Sequence, residues 1–224
     1  MKGAYVIPLA PHEISNFTFN VSNNWECVKL LIVCVRFYLT HSNNRLIKVS
    51  SDSKYVIDYP HIKLEIIPTP RLYIYVGPNK YISIVFPFHI KIENDKIALW
   101  YNAIRIDEKI ISEILTLINL RGKANSSIGA SMNSLIELYL SNDEYDPISD
   151  EAFYVTENLL LSETGYIRHD HDPVHSNGKI HPEYHFDINY SKQATFKYGS
   201  DKMMSNVEFE LTFDKNKDCF YLRK

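Results

Sequence analysis

Glycine is scarce in this chain. There are seven in 224 residues, and no two of them stand in a G-x-G or G-x-x-x-x-G-K arrangement. Phosphate-cradling turns need backbone N–H groups that only closely spaced glycines expose, so the usual dinucleotide and P-loop sites are excluded. No G-x-S-x-G stretch occurs, which leaves a serine hydrolase of that type without its nucleophile. Cysteine is sparse too: Cys27, Cys34 and Cys219 are odd in number and lack C-x-x-C spacing. Neither a disulfide framework nor a thiolate zinc site follows, and a reducing cytoplasm is the expected setting. Long apolar runs are missing as well. The most apolar stretch, Val28 to Leu39, is interrupted by Arg36 and is too short for a bilayer. The first fifteen residues lack the basic flank and apolar run of a signal peptide, so a soluble, cytoplasmic protein without a membrane partner is expected. Finally, no charge of one sign dominates. With 24 Lys and Arg against 27 Asp and Glu, the net charge is −3, so any nucleic-acid contact has to come from one local face.

What is present is an ordinary globular composition, 45% hydrophobic and 23% charged, in a chain long enough to bury a sizeable core. Residues 1–104 read as a β-rich scaffold. Leu72 to Val76, Tyr81 to Phe86, His89 to Ile92 and Ile97 to Tyr101 are rich in β-branched and aromatic residues, punctuated by Gly77-Pro78, Pro87 and Asn94-Asp95. In the second of these runs Ile82, Ile84 and Phe86 share a face, the pattern of a meander covered on one side. The length of Trp25 to Thr40 allows a helix, while its valines and isoleucine favour a strand.

Residues 105–224 read as a helical layer followed by a second antiparallel sheet, the two regions together forming one compact unit. Asp107 caps a helix whose isoleucines recur at helical spacing up to a stop at Gly122. Two further helices are expected over about Ser127 to Leu140 and Ser149 to Ser162, the latter capped by Ser149, with an acidic loop from Asn142 to Pro147 between them. Beyond Gly165 the chain returns to strands. Val207 to Phe213 alternates apolar and polar residues and predicts a half-exposed strand. The expected fold is α+β, with an N-terminal antiparallel sheet, central helices and a C-terminal antiparallel sheet.

Five of the nine histidines fall within seventeen residues, His169 to His185. Strand alternation sorts them. Tyr184, Phe186, Ile188 and Tyr190 share one face, leaving His185, Asp187, Asn189 and Ser191 on the other. In the preceding strand, Ile167 on the core side turns Tyr166, Arg168 and Asp170 the other way. Pairing of the two strands brings Arg168, Asp170, His185 and Asp187 together, facing water, and Lys197 on a third strand adds a cation. The loop between them carries His175 and His181-Pro182. Proline restricts the residue before it, so His181 is held in a defined direction.

Two imidazoles suit proton transfer near neutral pH. His181 and His185 as acid and base, Asp170 or Asp187 holding a tautomer, and Arg168 with Lys197 meeting phosphate make a set for cleaving a ribose phosphodiester without a metal. Catalytic roles thus fall to His181, His185, Asp170 and Arg168, and substrate contacts to Lys197 and Asp187. The same residues also suit zinc or another divalent ion as an alternative cofactor, although neither the H-x-H-x-D-H nor the H-E-x-x-H spacing is met. Read without function, His169, His171 and His175 are solvated turn residues. His12, His41, His61 and His89 are then surface or satisfied core positions, and Tyr73, Tyr75 and Tyr81 cover a helix or a partner chain.

The run Arg168-x-Asp170 followed by His181-Pro182-x-x-His185 resembles a signature of uncharacterised bacterial toxin-like and phage-defence-associated proteins, over about thirty of the 224 residues. Where that signature carries a third histidine, this chain has Asp187. The resemblance implies a cytoplasmic effector acting on RNA or a nucleotide, with a protein partner encoded nearby. The alternative is a non-catalytic interaction or regulatory protein whose histidine-rich loop binds a metal or a protein.

Overall fold

A computed structural model describes residues 3–41, 44–50, 59–66, 70–93, 96–120, 128–140, 148–178, 180–190, 195–214, 216 and 218. Its framework is an antiparallel sheet of eight strands: β1 (Ala4–Pro8), β2 (Ile47–Val49), β3 (His61–Glu65), β4 (Arg71–Gly77), β5 (Lys80–Val85), β9 (Ile167–His171), β10 (Tyr184–Ile188) and β11 (Phe196–Ser200). Their order across the sheet is β11-β10-β9-β5-β4-β3-β1-β2. Strands from either side of residue 104 therefore share one sheet. The two separate sheets expected from sequence are merged by the pairing of β5 with β9, where Ile82 stands opposite Arg168 and Lys80 opposite Asp170. That pairing joins segments more than eighty residues apart, and local patterning carries no trace of it. A smaller sheet is formed by β6 (His89–Glu93), β7 (Lys96–Tyr101) and β8 (Ile104–Ile106).

Four helices make the principal layer: α1 (Asn24–His41), α2 (Glu108–Leu120), α3 (Ile128–Leu140) and α4 (Asp150–Leu161). Asp107 and Ser149 cap α2 and α4 as the sequence predicts. Asp107 Oδ1 accepts from the Ile110 amide at 3.0 Å, and Ser149 Oγ accepts from Ala152. Gly122 and the 142–147 loop lie outside the described residues. The ambiguous stretch is the helix α1, buried along most of its length, including Trp25, Val28, Leu31, Ile32, Val35 and Tyr38. A segment apolar on nearly every side carries no clean period, and for that reason composition alone left it open. The Tyr38 hydroxyl reaches the carbonyls of Tyr5 and Ile62 and ties the helix to the sheet. The isoleucines and leucines of the sheet's inner face, among them Ile62, Leu72, Ile74, Ile82 and Ile84, form one core with these helices.

The opposite face is covered as well. Val207 to Phe213, expected as a strand, instead carries the short helix α5 (Asn206–Leu211). Ser205 and Glu208 form a reciprocal capping box at its start. Phe209 and Phe213, four apart, then turn to the sheet, where Phe209 packs with Tyr73 and Tyr75. The outward tyrosines thus cover a helix. Cys27 and Cys34 are free and buried. Among the described residues no helix is long and apolar enough to cross a membrane.

Candidate functional site

Strands β9, β10 and β11 end the sheet on one side, and their register assembles the cluster. Asp187 stands opposite Arg168 on one neighbour and Lys197 on the other, while His185 stands opposite Asp170 and Gly199. Directly paired residues point to the same side of a sheet. The side is fixed by Arg168, which shares it with Ile82 and hence with the helical layer. The polar residues are therefore gathered as the alternation predicts, but they are not turned freely to water. The His185 side chain is only 1% exposed, Asp187 10%, and Asp170 13%.

Arg168 organises the charges. Its Nε donates to Asp170 Oδ2 at 2.5 Å, and its Nη2 donates to Asp187 Oδ2 across the strand pair. Lys197 Nζ donates to Asp187 Oδ1 at 2.5 Å. Burial alone would lower the Arg168 pKa, but Asp170, Tyr166 and Asp187 outweigh it and hold the guanidinium more firmly charged than usual. Lys80 belongs to the same group, opposite Asp170 on β5. Burial and then the Arg168 charge lower its pKa, against the pull of the two aspartates. Sequence reading missed Lys80, because only the long-range β5–β9 pairing reveals it.

His185 Nδ1 lies 2.9 Å from the Pro182 carbonyl. A carbonyl oxygen only accepts, so Nδ1 carries the proton and the neutral ring presents a bare Nε2. Burial first, and Lys197 next, push the His185 pKa below the ordinary imidazole value, while Pro182 and the aspartates oppose them. His181 lies beside it. The two rings meet edge to face with centroids 4.7 Å apart. His181 is the more exposed ring, at 28%, and its Nε2 is 3.8 Å from Asp172 Oδ2. Asp172 in turn accepts from the His175 backbone and side chain. The rings are in contact, so no phosphate fits between them.

The remaining histidines of the stretch are not all turn residues. His169 is fully buried on the α5 face, stacked against Phe186 and 3.0 Å from Ser200 Oγ. Burial, and then His185, push its pKa down to about 4. His171 reaches Glu183 at 2.8 Å and stacks on Tyr184. Only His175 sits fully on the exposed loop. Asp170, His185 and Asp187 are the one group of described residues whose side chains are placed to share a metal ion. Comparison with protein-family models, curated proteins and solved structures returns no match, so this site is read from its geometry alone.

Proposed function

We propose that this chain is a phosphodiesterase of the toxin or defence type, with RNA as its first candidate substrate, and that its reactive centre is the cluster of Arg168, Asp170, His181, His185, Asp187 and Lys197. The observation that carries the reading is the burial of two carboxylates, a guanidinium and an imidazole against one another at the end of the sheet. A buried ionic network is a poor way to stabilise a protein, because removing charges from water offsets most of what their attraction returns. Buried ionisable groups gathered at one place, with Arg168 and His185 shifted from their ordinary values, are instead characteristic of a functional site. In this reading Arg168 and Lys197 meet the phosphate oxygens, and His181, the more exposed ring, exchanges the proton. His185 lies behind it and sets the electrostatics of the centre.

The test is cleavage of a labelled single-stranded RNA by protein purified without a histidine tag, compared with His181→Ala and His185→Ala. Circular dichroism checks that the variants fold. Loss of an acid–base residue is expected to slow cleavage by about 100-fold or more. A wild-type protein that cleaves no faster than either variant ends this reading. The contact between the two imidazole rings favours a second one, a non-catalytic interaction or regulatory protein in which the same cluster binds a metal or a protein partner. Absence of cleavage together with specific ligand binding at the cluster is its signature.

A further inference from the structure

His185 has two aspartates as neighbours on its own side of the sheet, Asp187 two residues along β10 and Asp170 opposite on β9. Because Nδ1–H is committed to the Pro182 carbonyl, the lone pair on Nε2 faces the carboxylates. It lies 3.9 Å from Asp170 Oδ2 and 3.8 Å from Asp187 Oδ2, beyond hydrogen-bond reach. The ring is 1% exposed, so solvent hardly reaches it. Arg168 already joins the two carboxylates and Lys197 pairs with Asp187, so among the described residues the acceptor left without a hydrogen-bond partner in this buried space is Nε2. Arg168 supplies donors to the two carboxylates but none to Nε2.

The geometry points to a divalent transition-metal site in which Asp170, His185 and Asp187 each give one ligand atom. All three atoms lie within 4.8 Å of one another. Ligands held at about 2.1 Å from an ion stand roughly 3.0 to 3.4 Å apart, so the imidazole has to approach each carboxylate by roughly 0.5 to 0.9 Å and the widest separation in the trio has to close by up to about 1.5 Å. One imidazole with two carboxylates suits zinc or manganese. The bond from Nδ1–H to a backbone carbonyl is the outer contact that ligating histidines ordinarily make, and it orients Nε2 for the ion. Arg168 does not block the site. A carboxylate oxygen has two lone pairs and can accept from the guanidinium while ligating, which makes Arg168 the group that fixes both carboxylates. Three protein ligands leave positions open for water or an anion. The inference adds a cofactor to the centre proposed above, but it rests on ligand geometry and not on RNA cleavage.

Protein prepared without a histidine tag and stripped with EDTA is dialysed against Zn²⁺ or Mn²⁺. Bound metal is measured by mass spectrometry, and thermal unfolding is followed with and without the ion. One ion per chain and a raised Tm are expected. Asp170→Asn and His185→Gln are each expected to weaken binding at least about 10-fold, while a His171→Ala/His175→Ala double variant binds as the wild type does. Uptake of neither ion, with an unchanged Tm, overturns the site. So does binding that survives in His185→Gln and Asp170→Asn but disappears in the loop double variant. Should the cluster variants fail to fold, X-ray absorption of the loaded wild type decides, because a shell with two or more imidazoles overturns the assignment and one imidazole among oxygens supports it. Metal binding without RNA cleavage upholds the site and removes the nuclease reading, so the two fail separately.

Discussion

Arg168 and Asp187 stand opposite each other on β9 and β10, and the guanidinium that bridges them also reaches Asp170 two residues along its own strand. One guanidinium therefore bridges two carboxylates where little water is available, and Lys197 is a second cation on Asp187. Removing the guanidinium by Arg168→Met strips Asp170 of its ion pair and leaves Asp187 with Lys197 alone, and a loss of about 3 to 5 kcal/mol is expected in urea unfolding. Neutralising the pair as well, in Arg168→Met/Asp170→Asn/Asp187→Asn, is expected to recover much of that loss, since the penalty lies in the stranded charges. A single variant as stable as the wild type contradicts this account of the cluster.

A histidine away from the cluster contributes to the acid limb of stability, alongside His169. His61 is buried on β3, with Nδ1 held by the Tyr59 carbonyl at 2.7 Å and the ring against Tyr75. Burial pushes its pKa down to about 4; the Tyr59 carbonyl opposes this and the Lys63 charge adds to it. Above the unfolded value of about 6.5, both states are neutral and His61 adds no pH dependence. Between about 6.5 and 4 the unfolded chain binds a proton that the folded chain refuses. Stability then falls with pH by up to about 1.4 kcal/mol per unit for this one residue, and the slope ends below about 4. Denaturant titrations at pH 7, 5.5 and 4.5 are expected to show a shallower slope in His61→Phe than in the wild type. Parallel slopes in the two proteins rule the residue out as a source.

The helix caps at Asp107 and Ser149 and the alternation of β9 and β10 were legible because each depends on residues a few positions apart. That Arg168, Asp170, His185 and Asp187 share one side follows from that alternation, but not which side: Ile167, expected toward the core, packs in the cluster under α5, and Tyr166 and Arg168 take the side of the helical layer. What was not legible is what covers them. The β5–β9 pairing puts Lys80 beside Asp170 and turns the polar side toward the helical layer, and no short-range pattern encodes a contact across that much chain. The burial of His169 escaped for the same reason, since Phe209, which packs near it, arrives from forty residues later.

Helix α5 shows how a local signal was misread. Val207, Phe209, Leu211 and Phe213 alternate as a strand does, yet Phe209 and Phe213 are also four apart. The Ser205–Glu208 capping box decides between the two readings. Ser205→Ala is expected to cost about 1 kcal/mol of stability. Phe209→Ala, which empties the space beside Tyr73 and Tyr75, is expected to cost about 3 to 5 kcal/mol. Were this segment a strand, the Ser205 change would be neutral, so equilibrium unfolding of that variant is the discriminating measurement.

Gly199 tests the positioning of His185 without touching it. It stands opposite His185 on β11, and a Cβ at this position would come within 2.9 Å of Pro182 Cγ and 3.2 Å of Pro182 Cβ. Proline is a closed ring that cannot swing its far end aside, so Gly199→Ala has to shift Pro182 itself. Pro182 carries the carbonyl that fixes the His185 tautomer, and a displaced carbonyl releases Nδ1–H. In imidazole ¹⁵N spectra the wild type is expected to show His185 as the Nδ1–H form, and Gly199→Ala a mixture of both tautomers. The affinity for Zn²⁺ or Mn²⁺ is expected to fall by about 10-fold or more, the usual effect of losing an outer partner of a ligating histidine. The fold should persist, because the added methyl meets a loop proline and not the helical core. A variant that keeps the wild-type tautomer and affinity shows that Pro182 does not hold His185 in place, and the ordering of Nε2 toward the two aspartates then needs another source.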